Sequence, residues 1–150
     1  MTVLSRKTIK EEIATGLSTA LVGSGKPAIA LYSYQKGKLG GESPVILVTS
    51  GTLDREFKGM GSTTFDSRFI IDCHVLVYDG DENQPLTETQ REDKGDELEV
   101  GIATWVASHQ KGTNYRALRY QKPTERASVV MLDGEPYLLE IISLEVEAPD

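Results

Sequence analysis

Near the start of the chain, apolar residues recur at steps of four: Ile9, Ile13, Leu17 and Leu21, with Ala14 and Ala20 beside them. That is one stripe of an amphipathic helix. Thr8 and Glu11 stand three apart, as in a capping box with Thr8 at N-cap. Gly23 suits the position after the last turn, and Pro27 forbids continuation. The spacing predicts a helix over residues 8–22.

Two β-rich runs follow, Ala28 to Tyr34 and Pro44 to Thr49. Between them lies Gln35 to Ser43, which carries Gly37, Gly40 and Gly41 with two lysines. It reads as a mobile hairpin tip, with the two strands antiparallel across it. Ser50 to Ser67 has no clear periodicity and is long for a structureless connection. Two readings are open: poorly patterned strand extensions, or an arm that orders only against a neighbour. Arg68 to Tyr78 is the clearest strand. Phe69, Ile71, Cys73, Val75 and Val77 share an apolar face that should meet the core, and the opposite face is mixed.

Asp79 to Pro85 is an acidic turn region, and a second helix lies between Thr87 and Gln110. Leu98, Ile102, Trp105, Val106 and His109 cluster on one face, so the packed part is expected over Asp96 to Gln110, with Gly112 ending the helix. Gly95 and Gly101 weaken it, by up to ~1 kcal/mol each relative to Ala.

The last third reads as a short strand from Tyr115, a proline turn and a long hairpin. Ala127 to Leu132 runs into Asp133-Gly134 and returns as Tyr137 to Val146. Asp-Gly suits a type I′ turn, which takes positive φ at both central residues. A two-residue turn sets Leu132 opposite Glu135 and Val130 opposite Tyr137. One face then holds Val130, Leu132, Tyr137, Leu139 and Ile141, and the other Val129, Met131, Leu138 and Ile142. A sheet exposed on one side alternates apolar and polar, so the second apolar face calls for a cover. A second sheet layer, a neighbouring subunit or a curled, barrel-like sheet would each supply one. The order of elements indicates an α+β fold: one domain over residues 1–150, a mostly antiparallel twisted sheet with two helices packed on one side.

Composition adds limits. The chain has 150 residues, 39% hydrophobic and 26% charged, enough for one sizeable core. Its one cysteine, Cys73, rules out a disulfide within the chain. No apolar run approaches the ~18 residues needed to span a bilayer, and no secretory signal is evident, so a cytosolic protein is the simplest expectation. The net charge of −7 argues against a surface built to grip nucleic acid. It suits plain solubility first, and is also compatible with a wall past which DNA slides without sticking.

The motifs for chemistry fail on inspection. Gly23-Ser24-Gly25-Lys26 resembles the end of a phosphate loop, but Ala20 stands where the first glycine belongs and Pro27 where Ser or Thr belongs. Cys73 and His74 are adjacent on a strand and point to opposite faces, so they form no nucleophile–base pair. The acidic turn does not match a calcium loop. The two histidines and one cysteine have no metal-site spacing. The expectation is no catalytic residue, no cofactor and no metal. Glu140, the one charge within the apolar return strand, reads either as an inward carboxylate paired with Arg116 or Arg119 or as a residue at a subunit boundary.

Three runs are shared in order and character with a known family: Tyr115 to Pro123, Val129 to Tyr137 and Glu140 to Val146, preceded by the amphipathic helix and the strand Arg68 to Tyr78. They resemble the tail terminator proteins of long-tailed bacteriophages, also described as tail completion or neck proteins. The likeness is a pattern of strands and turns, residue by residue only over about 68–78 and 115–146.

The resemblance implies a structural, non-enzymatic virion protein at the tail–head junction, assembled in the host cytoplasm. Such proteins form a ring of identical subunits, typically six, on the last ring of the tail tube protein. They stop its growth, present a surface to the head-completion or connector protein, and let DNA pass through the lumen without specific binding. No membrane is involved. The candidate subunit or tube contacts are two segments expected to be flexible. One is Lys36 to Glu42, with Lys36, Lys38 and Glu42. The other is Thr52 to Thr64, with Asp54, Arg55, Glu56, Phe57, Lys58 and Met60. Alternatives are another phage or secretion-system ring component, such as a head-closure adaptor or tail-tube subunit, and a small ligand-binding α+β domain.

Overall fold

A computed structural model describes residues 5–57, 65–78, 88–121 and 128–149; the side chains of residues 52–57, 65, 66, 88, 91 and 149 lie outside that description. Helix α1 runs Arg6–Leu21 and buries Ile9, Ile13, Ala14, Leu17 and Leu21 along the expected stripe. Its N-cap is Ser5, not Thr8: the Ser5 hydroxyl accepts from the Thr8 amide at 3.2 Å. Ser5 and Thr8 stand one turn apart, and capping at Ser5 winds Arg6 and Lys7 into the helix.

Strands β1 (Ala30–Tyr32), β2 (Val45–Phe57), β3 (Phe65–Tyr78), β4 (Ala117–Tyr120), β5 (Ser128–Leu132) and β6 (Glu135–Pro149) form one six-stranded sheet, with helix α2 (Glu88–Ser108) between β3 and β4. The spatial order is β1-β2-β3-β6-β4, and β5 pairs with β6 further along the edge that β4 occupies. All pairings are antiparallel except β1 with β2. This is the expected α+β domain.

The parallel β1–β2 pair corrects the expected hairpin. Residues 33–44 do not turn back directly; they cross the sheet and bring the chain to the same end, the kind of connection parallel strands require. Leu39 is the reason the chain takes this path. It is 3% exposed and packs with Val45, Leu47, Leu76 and Tyr137. Gly40 and Gly41, both at positive φ, make the turn beside it.

The stretch Ser50 to Ser67 resolves largely into strand. β2 continues to Phe57 and β3 starts at Phe65, with a register slip between Ser50 and Leu53. Residues 58–64 lie outside the described residues. Helix α2 ends at Ser108, four residues before Gly112, which corrects the expected stop. Gly112 instead sits where a Cβ would meet the Tyr115 ring and a Glu12 carboxylate oxygen. The chain turns early because Tyr115 inserts there, 4% exposed, its hydroxyl donating to the His109 carbonyl at 2.8 Å.

The main core lies between the helices and one face of the sheet. Phe69, Ile71, Cys73 and Val75 of β3 meet Ile142, Leu144 and Val146 of β6 under Ile13, Leu17, Ile102 and Trp105. Cys73 is fully buried, and burial pushes its thiol up to about 12, so it behaves as a small apolar residue.

Candidate subunit interface

The hairpin forms in the expected register. Asp133 (φ 50°) and Gly134 (φ 78°) make the turn, Leu132 pairs with Glu135 and Val130 with Tyr137. Even-numbered β6 residues from Ile142 onward face the helices, whereas Tyr137 and Leu139 face away from them. The sheet is therefore apolar on both sides at its hairpin end. The far side carries a second cluster of Val45, Leu47, Leu76 and Tyr137, flanked by half-buried Tyr78, Val130, Leu132 and Leu139.

The 33–44 strap covers part of this second cluster, and three of the expected contact residues hold it there. Tyr32 donates to the Glu42 carboxylate at 2.8 Å, and Lys36 Nζ lies 3.4 Å from Glu42 and 4.1 Å from the centre of the Tyr32 ring. Lys38 reaches Asp133 in the hairpin turn at 3.5 Å. The Gly41 amide donates to the Tyr137 hydroxyl at 3.1 Å. Tyr34, 54% exposed, stacks obliquely on Tyr32 at the strap's outer edge.

On the helix side the hairpin end is bare. Val129 and Met131 are 57% and 62% exposed. Beside them a cleft of about 240 Å³ opens between α2 and the sheet, lined by Val75, Val77, Glu92, Asp96, Leu138 and Glu140. Glu140 faces this cleft. Burial raises its pKa, and the neighbouring charges of Glu99 and Asp96 raise it further. The expected pairing with Arg116 or Arg119 does not form: these arginines lie on Glu147 at 3.6 Å and 3.1 Å, and Arg119 also on Glu145 at 3.2 Å. Register decides this. Arg119 stands opposite Glu145, on the face turned away from the helices, while Glu140 points toward them.

Expected residues Asp54, Arg55, Glu56 and Phe57 pair with Arg68, Ser67, Asp66 and Phe65. Lys58 and Met60 lie outside the described residues. Asp66 in turn pairs with Pro149, at the opposite end of β6 from Tyr137. At ~3.3 Å per residue the two groups of expected residues stand roughly 40 Å apart. The structure does not bring them together. It puts one at each end of the sheet. Between them, the far face turns polar: Arg68, Arg116 and Arg119 surround Glu147, whose pKa is lowered chiefly by the Arg119 hydrogen bond.

Sequence reasoning identified both apolar faces of the hairpin but not the strap, because a single leucine in a Gly- and Lys-rich loop has no periodicity to read. Among the described residues no helix is long and apolar enough to cross a membrane, and no group of three His, Cys, Asp or Glu side chains is placed to hold a metal. No protein-family model matches the chain, and no curated protein matches it.

Proposed function

We propose that this chain is a structural virion protein of the tail terminator type: a ring of identical subunits, six in the family it resembles, that caps the tail tube and offers its other side to the head connector. The observation that carries the reading is the hairpin end of the sheet. Val129 and Met131 stand exposed on one side, and Leu139, Tyr78 and Val130 remain half-buried on the other. A lone monomer leaves such surface wet, whereas a neighbouring subunit covers it. The separation of the two expected contact segments supports the same reading, since a cap needs distinct surfaces for its two neighbours. DNA passes through the lumen, and the acidic balance of the chain disfavours adhesion to phosphate.

The test is the mass of the purified protein over a concentration series, with electron micrographs of the same samples and of samples mixed with purified tail tubes. Closed rings, or caps that appear on tube ends, support the reading. Long tubes of the protein alone favour a tube subunit. A monomer that leaves tube ends bare and growing removes the terminator function.

A further inference from the structure

The solvent side of α2 carries a charge division that the fold does not use. Asp93, Asp96 and Glu97 occupy its first turns, all exposed. One turn on stands Val100, 58% exposed. Beyond it, small residues continue the stripe with Ala103 and Ala107, which line a groove of about 500 Å³ between α2 and β4. Leu118 helps floor that groove; Lys111 lines it at the helix end, and Arg116 and Arg119 line its rim along the edge strand, with their guanidiniums on Glu147 of the far face. One end is thus an apolar knob set among carboxylates. The other is an apolar trough edged by cations.

The two ends do not neutralise each other within one chain. At 1.5 Å per residue, the acidic turns and the groove's cationic edge lie roughly 20 Å apart, beyond a Debye length of about 8 Å. Glu145 and Glu147 lie on the arginines, and Lys111, exposed at the helix end, brings the groove a further positive charge. Lys94 lies among the carboxylates of the acidic end, and Arg91 precedes them in the chain.

We propose that these two patches are the two halves of one contact between copies of this chain. The acidic first half of α2 of one copy, led by Val100, seats in the α2–β4 groove of the next. Alanines at 103 and 107 let a second backbone approach closely, and the opposed charges set direction and register. Because the patches are different surfaces, the contact is heterologous: it runs head to tail and closes into a ring when its rotation allows. The inference rests on the self-association in the reading above, but not on ring size or on a tail.

The test uses the full chain and two charge-reversed variants, Asp93→Lys with Glu97→Lys, and Lys111→Glu with Arg116→Glu. Sedimentation is followed over a concentration series. Each variant alone should self-associate at least about tenfold more weakly than the wild type. An equimolar mixture should recover wild-type association, because each reversed half then meets an opposite charge. Arg116 also lies on Glu147, so the melting curve of its variant is recorded, and Ala107→Trp serves as a second variant that fills the groove without changing charge. It too should weaken association at least about tenfold. A wild type that stays monomeric at every concentration, variants that associate normally, or a mixture that fails to recover each overturns the contact. The outcomes separate the two readings. Rings indifferent to the reversals keep the ring and remove this contact. A two-subunit particle, lost in each variant and recovered in the mixture, keeps the contact and removes the ring.

Discussion

The indole of Trp105 occupies the space that a side chain at residue 16 would fill: a Cβ built on Gly16 would run into the ring. Helices α1 and α2 meet at this point, with Trp105 8% exposed. Gly16→Ala pits two effects against each other. Alanine improves helix propensity by ~1 kcal/mol. Displacing a rigid, buried indole costs ~1–3 kcal/mol. The steric effect should win, with a net loss of up to ~2 kcal/mol in urea unfolding. Trp105 is the only tryptophan in the chain, so its emission reports the displacement directly. An unchanged or raised stability would show that the helices shift apart freely.

Glu12 ties the segment after α2 to α1. Its carboxylate accepts from the Thr113 amide at 2.7 Å and from the Asn114 amide and side chain at 3.0 Å and 2.9 Å. Glu12→Ala leaves these donors without the carboxylate and should cost ~1–2 kcal/mol. Amide exchange at residues 113 and 114 should accelerate more than exchange in the sheet. Uniform acceleration would mean that Glu12 supports the whole fold, not this turn.

Leu39 anchors the strap. Leu39→Ala removes its side chain from among Leu47, Leu76 and Tyr137 and should cost ~2–3 kcal/mol. The local readout is the Gly41 amide, which donates to the Tyr137 hydroxyl. Its exchange should rise as the strap lifts. If the strap stayed protected, its Glu42 and Lys36 contacts would be sufficient to hold it.

Glu140 should make stability fall as pH rises. Its folded pKa is raised by burial, then by Glu99 and Asp96, so between the ordinary carboxylate pKa and the raised value the native state holds the extra proton. Stability from this group is therefore greatest below the ordinary value and is lost as pH rises through the raised one. Glu140→Gln removes the penalty. At neutral pH it should add about 0.5 kcal/mol, kept small by solvent screening at a half-exposed site. The gain should vanish as pH falls below the ordinary carboxylate range. A gain that persists unchanged in acid would place its origin in packing.

Much of the fold is written in local signals. The four-residue spacing of Ile9, Ile13, Leu17 and Leu21 specifies a helix face, because the helical repeat alone puts those side chains on one side. Alternation from Phe69 to Val77 specifies a buried strand face in the same way. Asp133-Gly134 specifies the hairpin and its register through the φ values that turn requires. These readings hold wherever the segments are placed.

Other features depend on distant surfaces. The β1–β2 direction turns on where Leu39 finds apolar cover, and that cover comes from β2, β3 and β6. Arg116 and Arg119 meet Glu147 and not Glu140 because the β4–β6 register puts Glu145 opposite Arg119. Gly112 is explained by Tyr115 and Glu12, residues that a local stop signal does not include. The charge-divided stripe of α2 is visible as residues in the sequence, but the groove beside it exists only once β4 lies along the helix. Backbone preference and exposure period belong to a few neighbouring residues, so the sequence by itself determines them. Strand direction, ion-pair partners and grooves come from which remote surfaces fill a common volume, and that is decided only when the chain is packed.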